Sequence, residues 1–191
     1  MTHTYVIGNG ETRLSFDLNL LKDKGTIYGC NAIYRDFRPD ILITVDPAIA
    51  KEIQKSGYMD YWKVFTPYKD IADTHKNFVL FTSQERYCAG VTACMVAIHQ
   101  GCKELILLGH DLGSNNGLVN NCYKNSTNYK QAWEDDDSYD VYSPHYITLL
   151  QKYPAVSVTR VMAKQSRTIK EFKKFANYHE TKMETFIKNF Q

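Results

Sequence analysis

The sequence predicts an α/β protein, a mostly parallel sheet flanked by helices, built as one domain of 191 residues. Three observations carry this. Short β-branched and apolar runs alternate with stretches of helical character, the pattern of strand–helix–strand units. The runs close on glycine, asparagine or aspartate, where a strand gives way to a turn or a helix start. No internal repeat or linker composition divides the chain.

Taken in order, Tyr5-Val6-Ile7 reads as a first strand that closes at Gly8-Asn9-Gly10. Apolar residues at 14, 16, 18, 20 and 21 mix two periods and predict a short helix over 14–21. Residues 26–28 and 41–45 give the next two strands, the second ending at Asp46-Pro47. Proline suits a first helical position and aspartate suits the cap before it, so 47–55 is predicted helical. Residues 62–65 and 78–81 read as further strands. From Gly90, residues 91–98 are apolar nearly all round, as in a buried helix, and Gly101 is its stop. Residues 104–108 form a central strand ending at Gly109-His110-Asp111.

The stretch 113–142 differs, with six asparagines, four tyrosines, the acidic run Glu134-Asp135-Asp136-Asp137 and no sustained period. A connection this long reads as a lid, a binding loop or a flexible segment. A helix over 143–151 and a final strand over 155–160 follow. Residues 167–190 place Ile169, Phe172, Phe175, Ala176, Met183, Phe186, Ile187 and Phe190 at helical spacing, which predicts a long C-terminal helix. Its other face is basic, six Lys/Arg against three Glu.

Composition narrows the function. Hydrophobic residues make up 43% and charged residues 23%, with a formal net charge of +2, so no segregated basic excess points to nucleic acid. No apolar run spans a bilayer and the first residues lack the pattern of a signal peptide, so a cytoplasmic protein is expected. The five cysteines include no CxxC pair, which argues for buried thiols over a zinc site or a disulfide framework.

In parallel sheets, ligands bind beyond the carboxyl ends of the strands. Gly8-Asn9-Gly10, Cys30-Asn31, Asp46 and His110-Asp111 all fall at such ends, which points to one shared site. The glycine turn lacks the third glycine of a dinucleotide fingerprint, but it offers backbone amides to a phosphate or sugar hydroxyl. Asn9 and Asn31 suit a base, ribose or phosphate, and equally a turn cap. Arg86 can fork onto a phosphate or carboxylate, or form a surface ion pair. Asp46 and Asp111 can hold magnesium against phosphates, or cap helices and turns. Asp135-x-Asp137 lies in a polar loop and reads as a solvated acidic run. Among six histidines, only His110 and His145 have the context of a general base, and His99 reads as structural.

Gly8-Asn9-Gly10, Cys30-Asn31, Arg86, Gly90-Val91, Ala97-Ile98, Gly101, Lys103-Glu104 and Gly109-x-Asp111 resemble, in order and spacing, the bacterial sialyltransferases of glycosyltransferase family 42. A fainter match runs over His145-Tyr146-Ile147. The start is also similar to that of archaeal pterin pyrophosphokinases and flagellin-modifying factors. The tract Tyr28-Gly29-Cys30-Asn31-Ala32-Ile33-Tyr34 is similar to small phage-encoded members, which would place the chain in a host cytoplasm.

The resemblance implies a Rossmann-like, glycosyltransferase-A-like fold and inverting, metal-independent transfer from a CMP-sugar. It also implies His145 as base, Arg86 in the active site, and Tyr123 and Tyr129 on the leaving phosphate. Gly8, Asn9, Gly10, Cys30, Asn31, Asp46, Gly90, His110 and Asp111 would form the nucleotide site. The chain departs from the family at Glu11-Thr12, at Asp46 in place of an asparagine, and at Ala89 in place of a serine. Thr148-Leu149-Leu150 stands where the family's histidine lies. Two alternatives follow: a magnesium-dependent pyrophosphoryl transferase or nucleotide hydrolase using Asp46 and Asp111, and a nucleotide-binding module without catalysis. Self-association is open to either.

Overall fold

The computed structural model describes residues 3–81 and 86–190. Its described residues form one all-parallel sheet of eight strands: β1 (His3–Ile7), β2 (Gly25–Cys30), β3 (Ile41–Ile43), β4 (Val64–Thr66), β5 (Phe78–Leu80), β6 (Glu104–Leu108), β7 (Ser157–Met162) and β8 (Tyr178–Lys182). The order across the sheet is β5-β4-β3-β2-β1-β6-β7-β8. The chain therefore winds outward from β1 in one direction, then returns to β1's other side and winds outward in the opposite one. The reversal falls between β1 and β6, which pair in parallel from Thr4 opposite Leu105 to Ile7 opposite Leu108. Two successive connections leave opposite faces there and open a crevice.

Alternation along the strands supplies both cores. Tyr5 and Ile7 pack on one face with Ile27, Leu42 and helix α1 (Pro47–Lys55). Val6 and Tyr28 face the other way. They meet α3 (Ala89–His99), which follows the four-residue α2 (Lys69–Ala72), and α4 (Ser138–Lys152). Every α3 residue from Val91 to Ala97 is buried, as its apolar circumference requires. The positive φ of Gly101 ends it. Asp46 caps α1 as expected, its Oδ1 accepting from Ala48 N at 2.8 Å and Ile49 N at 3.3 Å.

Four expectations are corrected. The helix over 14–21 is two 3-10 turns, Glu11–Ser15 and Leu18–Leu21, because the mixed period gives no face long enough for an α-helix. Helix α4 begins at Ser138, five residues earlier than the expected start at 143, and carries Pro144 in its interior. Residues 155–160 are not the last strand. The long C-terminal helix is absent; in its place come a turn at Phe172–Lys174, strand β8 and α5 (Met183–Lys188). Between Ala176 and Met183 the helical pattern has no apolar residue but Tyr178. That gap pairs with β7 from Val158 opposite Tyr178 to Met162 opposite Lys182. The open edge of β7 supplies hydrogen bonds that an isolated helix could not outbid.

Candidate functional site

A cleft of about 650 Å³ opens at the switch point. Turns after four strands line its floor: Gly8, Asn9 and Gly10; Cys30 and Asn31; Val45 and Asp46; and Gly109 to Gly113. Arg86 to Gly90, entering α3, and Tyr142, His145 and Tyr146 of α4 form one wall. The loop between β6 and α4 forms the other, through Asn120, Asn121, Asn128, Tyr129, Lys130 and Asp136. Every residue nominated from the sequence lines this cleft except Tyr123.

Tyr123 is buried beside it, its hydroxyl donating to Asp36 and accepting from Arg13 Nη2 at 2.6 Å. Those bonds, with Arg13 and Arg35 over its ring, hold it outside the lining of the cleft. Tyr129 does reach the cleft, and its hydroxyl lies 3.4 Å from Asn9 Nδ2. Burial pushes its phenol up, so it stays protonated and able to donate.

The glycine turn offers less than expected. Gly8 N donates to Leu108 O and Gly10 N to Gly109 O, both at 2.8 Å, while Glu11 N donates to Asn120 Oδ1 and Thr12 N to Asp111. These amides are therefore committed to the protein, not to a phosphate. Gly10 is glycine for packing, since a Cβ there would sit 2.5 Å from Asp111 Cγ. Asn9 is the exception in this turn. Its Oδ1 is buried and has no hydrogen-bond partner among the described residues, while Nδ2 donates to Cys30 O at 3.2 Å. Asn31 adopts φ of 50° and its Oδ1 accepts from Val45 N, joining the ends of β2 and β3.

His110 is buried and structural. Among the described residues its Nε2 meets only the carbonyl of Val6, at 3.0 Å, so Nε2 carries the proton and Nδ1 accepts from the Tyr146 hydroxyl. Burial pulls this imidazole down to about 3. It is therefore neutral at any physiological pH, and its lone pair is already used. The general-base context read for His110 is corrected accordingly.

His145 is placed by Cys88, whose backbone N–H donates to its Nδ1 at 3.0 Å. Tyr87 packs edge-on at 5.6 Å. A neutral imidazole that accepts at Nδ1 carries its proton on Nε2. Taking up a proton at Nδ1 would require giving up the Cys88 bond. Arg86 lies at the mouth with its guanidinium carbon 5.1 Å from the Tyr68 ring centre.

The two aspartates are set apart. Both oxygens of buried Asp111 accept from Thr12, and burial pushes its carboxyl up against those bonds. Arg160, fully buried, donates to the carbonyls of His110, Asp111 and Arg167 at 2.7, 2.6 and 2.9 Å, which fixes the chain leaving β6. Asp46 follows β3, three strands away from β6 and hence roughly 14 Å across the sheet. One ion cannot span that distance, so the shared magnesium site does not fit these residues. Among the described residues no three acidic, histidine or cysteine side chains cluster for a metal, and no helix is long and apolar enough to cross a membrane.

Lys130 is a cleft residue that the sequence does not nominate. Its Nζ lies 3.1 Å from Asp137 Oδ1. Its segment reads as a binding loop, but without a period nothing in the sequence says which side chains turn inward.

By sequence, the chain matches no family model and no curated protein. By structure it is similar to sialyltransferases. The monofunctional alpha-2,3-sialyltransferase Cst-I from Campylobacter jejuni aligns with a TM-score of 0.56 at 16% identity, covering 84% of this chain and 75% of that one. CstII from Campylobacter jejuni, in complex with cytidine-5'-monophosphate, aligns at 0.52 and 15%, covering 84% and 79%. A variant of CST-II in complex with CMP aligns at 0.54 and 15%, covering 84% and 81%. The likeness establishes the fold these proteins share with this chain.

Proposed function

We propose that this chain is a sialyltransferase-like glycosyltransferase that takes a nucleotide-linked sugar, with CMP as the favoured nucleotide, in the switch-point cleft. One observation carries the reading. Asn9, Asn31, Arg86, Tyr129 and His145 converge on a single cleft of ligand size, in a fold shared with enzymes solved in complex with CMP. Asn9 Oδ1, buried and without a partner among the described residues, supplies an acceptor for a ligand N–H or O–H.

Arg86 and the Tyr129 hydroxyl supply positive charge and a donor for the phosphate as it leaves, with His145 lining the same cleft. The bond between sugar carbon and phosphate oxygen breaks while the acceptor oxygen attacks from the opposite side, inverting the centre. The acceptor's proton passes to solvent, and the released phosphate, whose second pKa is about 6, leaves mainly as the dianion at neutral pH. No step in this scheme needs a metal ion.

The test is a melting-temperature series with CMP, UDP, ADP and ATP, each in magnesium and in chelator. CMP in chelator is expected to stabilise the fold, by about 2.7 kcal/mol at a hundredfold excess over Kd. Arg86→Ala is expected to lose transfer and keep its melting temperature. A shift with ADP or ATP that needs magnesium would overturn the reading in favour of phosphoryl transfer.

A further inference from the structure

Tyr129 and Lys130 enter the cleft from a segment with no helix or strand, so groups outside it must hold them. The holding groups are Arg35, at the end of the one-turn helix Asn31–Arg35, and Glu52 on α1. Arg35 forks onto Glu52 through Nε and Nη2, each 2.6 Å from its oxygen. The same guanidinium donates to Ser126 Oγ at 2.7 Å and Thr127 O at 3.0 Å. Glu52 Oε2 in turn accepts from Asn128 Nδ2 at 2.8 Å. Three consecutive loop residues are thus fastened just before Tyr129. Two asparagines in this stretch, Asn125 and Asn128, hold left-handed backbone with φ of 65° and 68°. The guanidinium carbon also lies 5.5 Å from the Tyr129 ring centre. The two side chains are 22% and 23% exposed, shielded enough for the pair to act as a fixed joint. Neither lines the cleft.

We propose that Arg35 and Glu52 are positioning residues that set Tyr129 in the cleft by pinning residues 126–128. Only the role of Tyr129 toward a ligand rests on the proposed function; the pin itself does not. The joint bridges the switch point, since α1 follows β3 while the loop follows β6. Arginine is required because its planar fork serves the carboxylate and the loop together, which a lysine ammonium cannot do.

Hydrogen exchange on the full chain tests this. The amides of Cys122, Asn125, Ser126 and Tyr129 are all bonded to backbone carbonyls and report local opening. In Arg35→Ala their exchange is expected to speed up about tenfold or more, with β1, β2 and β6 within about twofold of the parent. Arg35→Lys is expected to fall close to Arg35→Ala. Unchanged exchange over 122–129, or an equal rise across the sheet, would overturn the pin. Should Arg35→Ala fail to fold, Ser126→Ala combined with Asn128→Ala carries the same measurement, and the same two results would overturn the pin. CMP titration separates the two readings. If the parent binds CMP, the opened variant is expected to bind about tenfold more weakly, and an unchanged Kd would overturn the positioning role. If the parent does not bind CMP while the local exchange rises, the pin stands and the nucleotide reading falls.

Discussion

At Gly90 the wall of the cleft has no room for a side chain. A Cβ there would run into the Tyr146 hydroxyl and lie 2.9 Å from His110 Cε1, so this helix start, the buried histidine and the tyrosine form one packed unit. Gly90→Ala must displace that pair, and is expected to cost about 1–3 kcal/mol, read as a lower urea midpoint at constant slope. The same unit carries a pH signature. His110 has a folded-state value of about 3 against an ordinary 6.5, so between those limits the unfolded chain binds the extra proton. Its contribution is whole above pH 6.5 and is lost as pH falls toward 3, with an upper size on the order of a few kcal/mol. Replacing it with a group that cannot titrate should flatten that slope. His110→Gln, compared with the parent by urea unfolding at pH 7 and pH 4.5, is expected to lose less stability between the two. An equal loss would show that other groups set the acid limb.

Elements are joined by a few side chains whose partners lie far away in sequence, and this decides what can be read from sequence. Asn177 donates Nδ2 to the carbonyls of Leu150, Tyr153 and Val156, at 3.1 to 3.3 Å, closing the end of α4 and the turn into β7. Asn177→Ala is expected to cost about 1–2 kcal/mol in unfolding free energy, with most of the added exchange at the α4 C-terminus. Local signals suffice where an element specifies itself. Asp46-Pro47 announces α1, the unbroken apolar circumference announces α3, and each strand ending in glycine or asparagine falls at the crevice. They fail where a partner decides. Residues 178–182 become a strand because β7 leaves an edge open, and Tyr123 leaves the cleft because Arg13 and Asp36 hold its hydroxyl. The glycine turn lies where the sequence puts it, yet its two glycine amides are not free. The carbonyls of Leu108 and Gly109 that occupy them come from a strand about a hundred residues later.

For the molecule as a whole, the consequence of that last strand is that one short segment completes both cores. Phe172 and Tyr178 pack with α3 and α4 on one face of the sheet, whereas Met183 and Phe186 pack with Phe16 and Val161 on the other. The chain crosses from face to face through β8, at the sheet's edge beside β7. A long amphipathic helix in its place would have covered one face only, and its removal would have peeled away a peripheral layer. The observed path makes a stronger claim. Ending the chain before residue 177 would uncover buried aromatic and apolar surface on both faces and strip β7 of its outer partner. Each exposed large side chain forfeits about 1.5–3 kcal/mol, and several together are comparable to the 5–15 kcal/mol that a domain commonly has. The truncated chain is therefore expected to lose its sharp urea transition and near-ultraviolet circular dichroism while keeping much of its far-ultraviolet signal. A cooperative transition only slightly shifted would mean that β8 and α5 are an appendage, and that the fold is complete at β7. It would also bear on the site, because Arg160, which fixes the His110 and Asp111 carbonyls at the floor of the cleft, lies on β7 opposite Glu180 of β8.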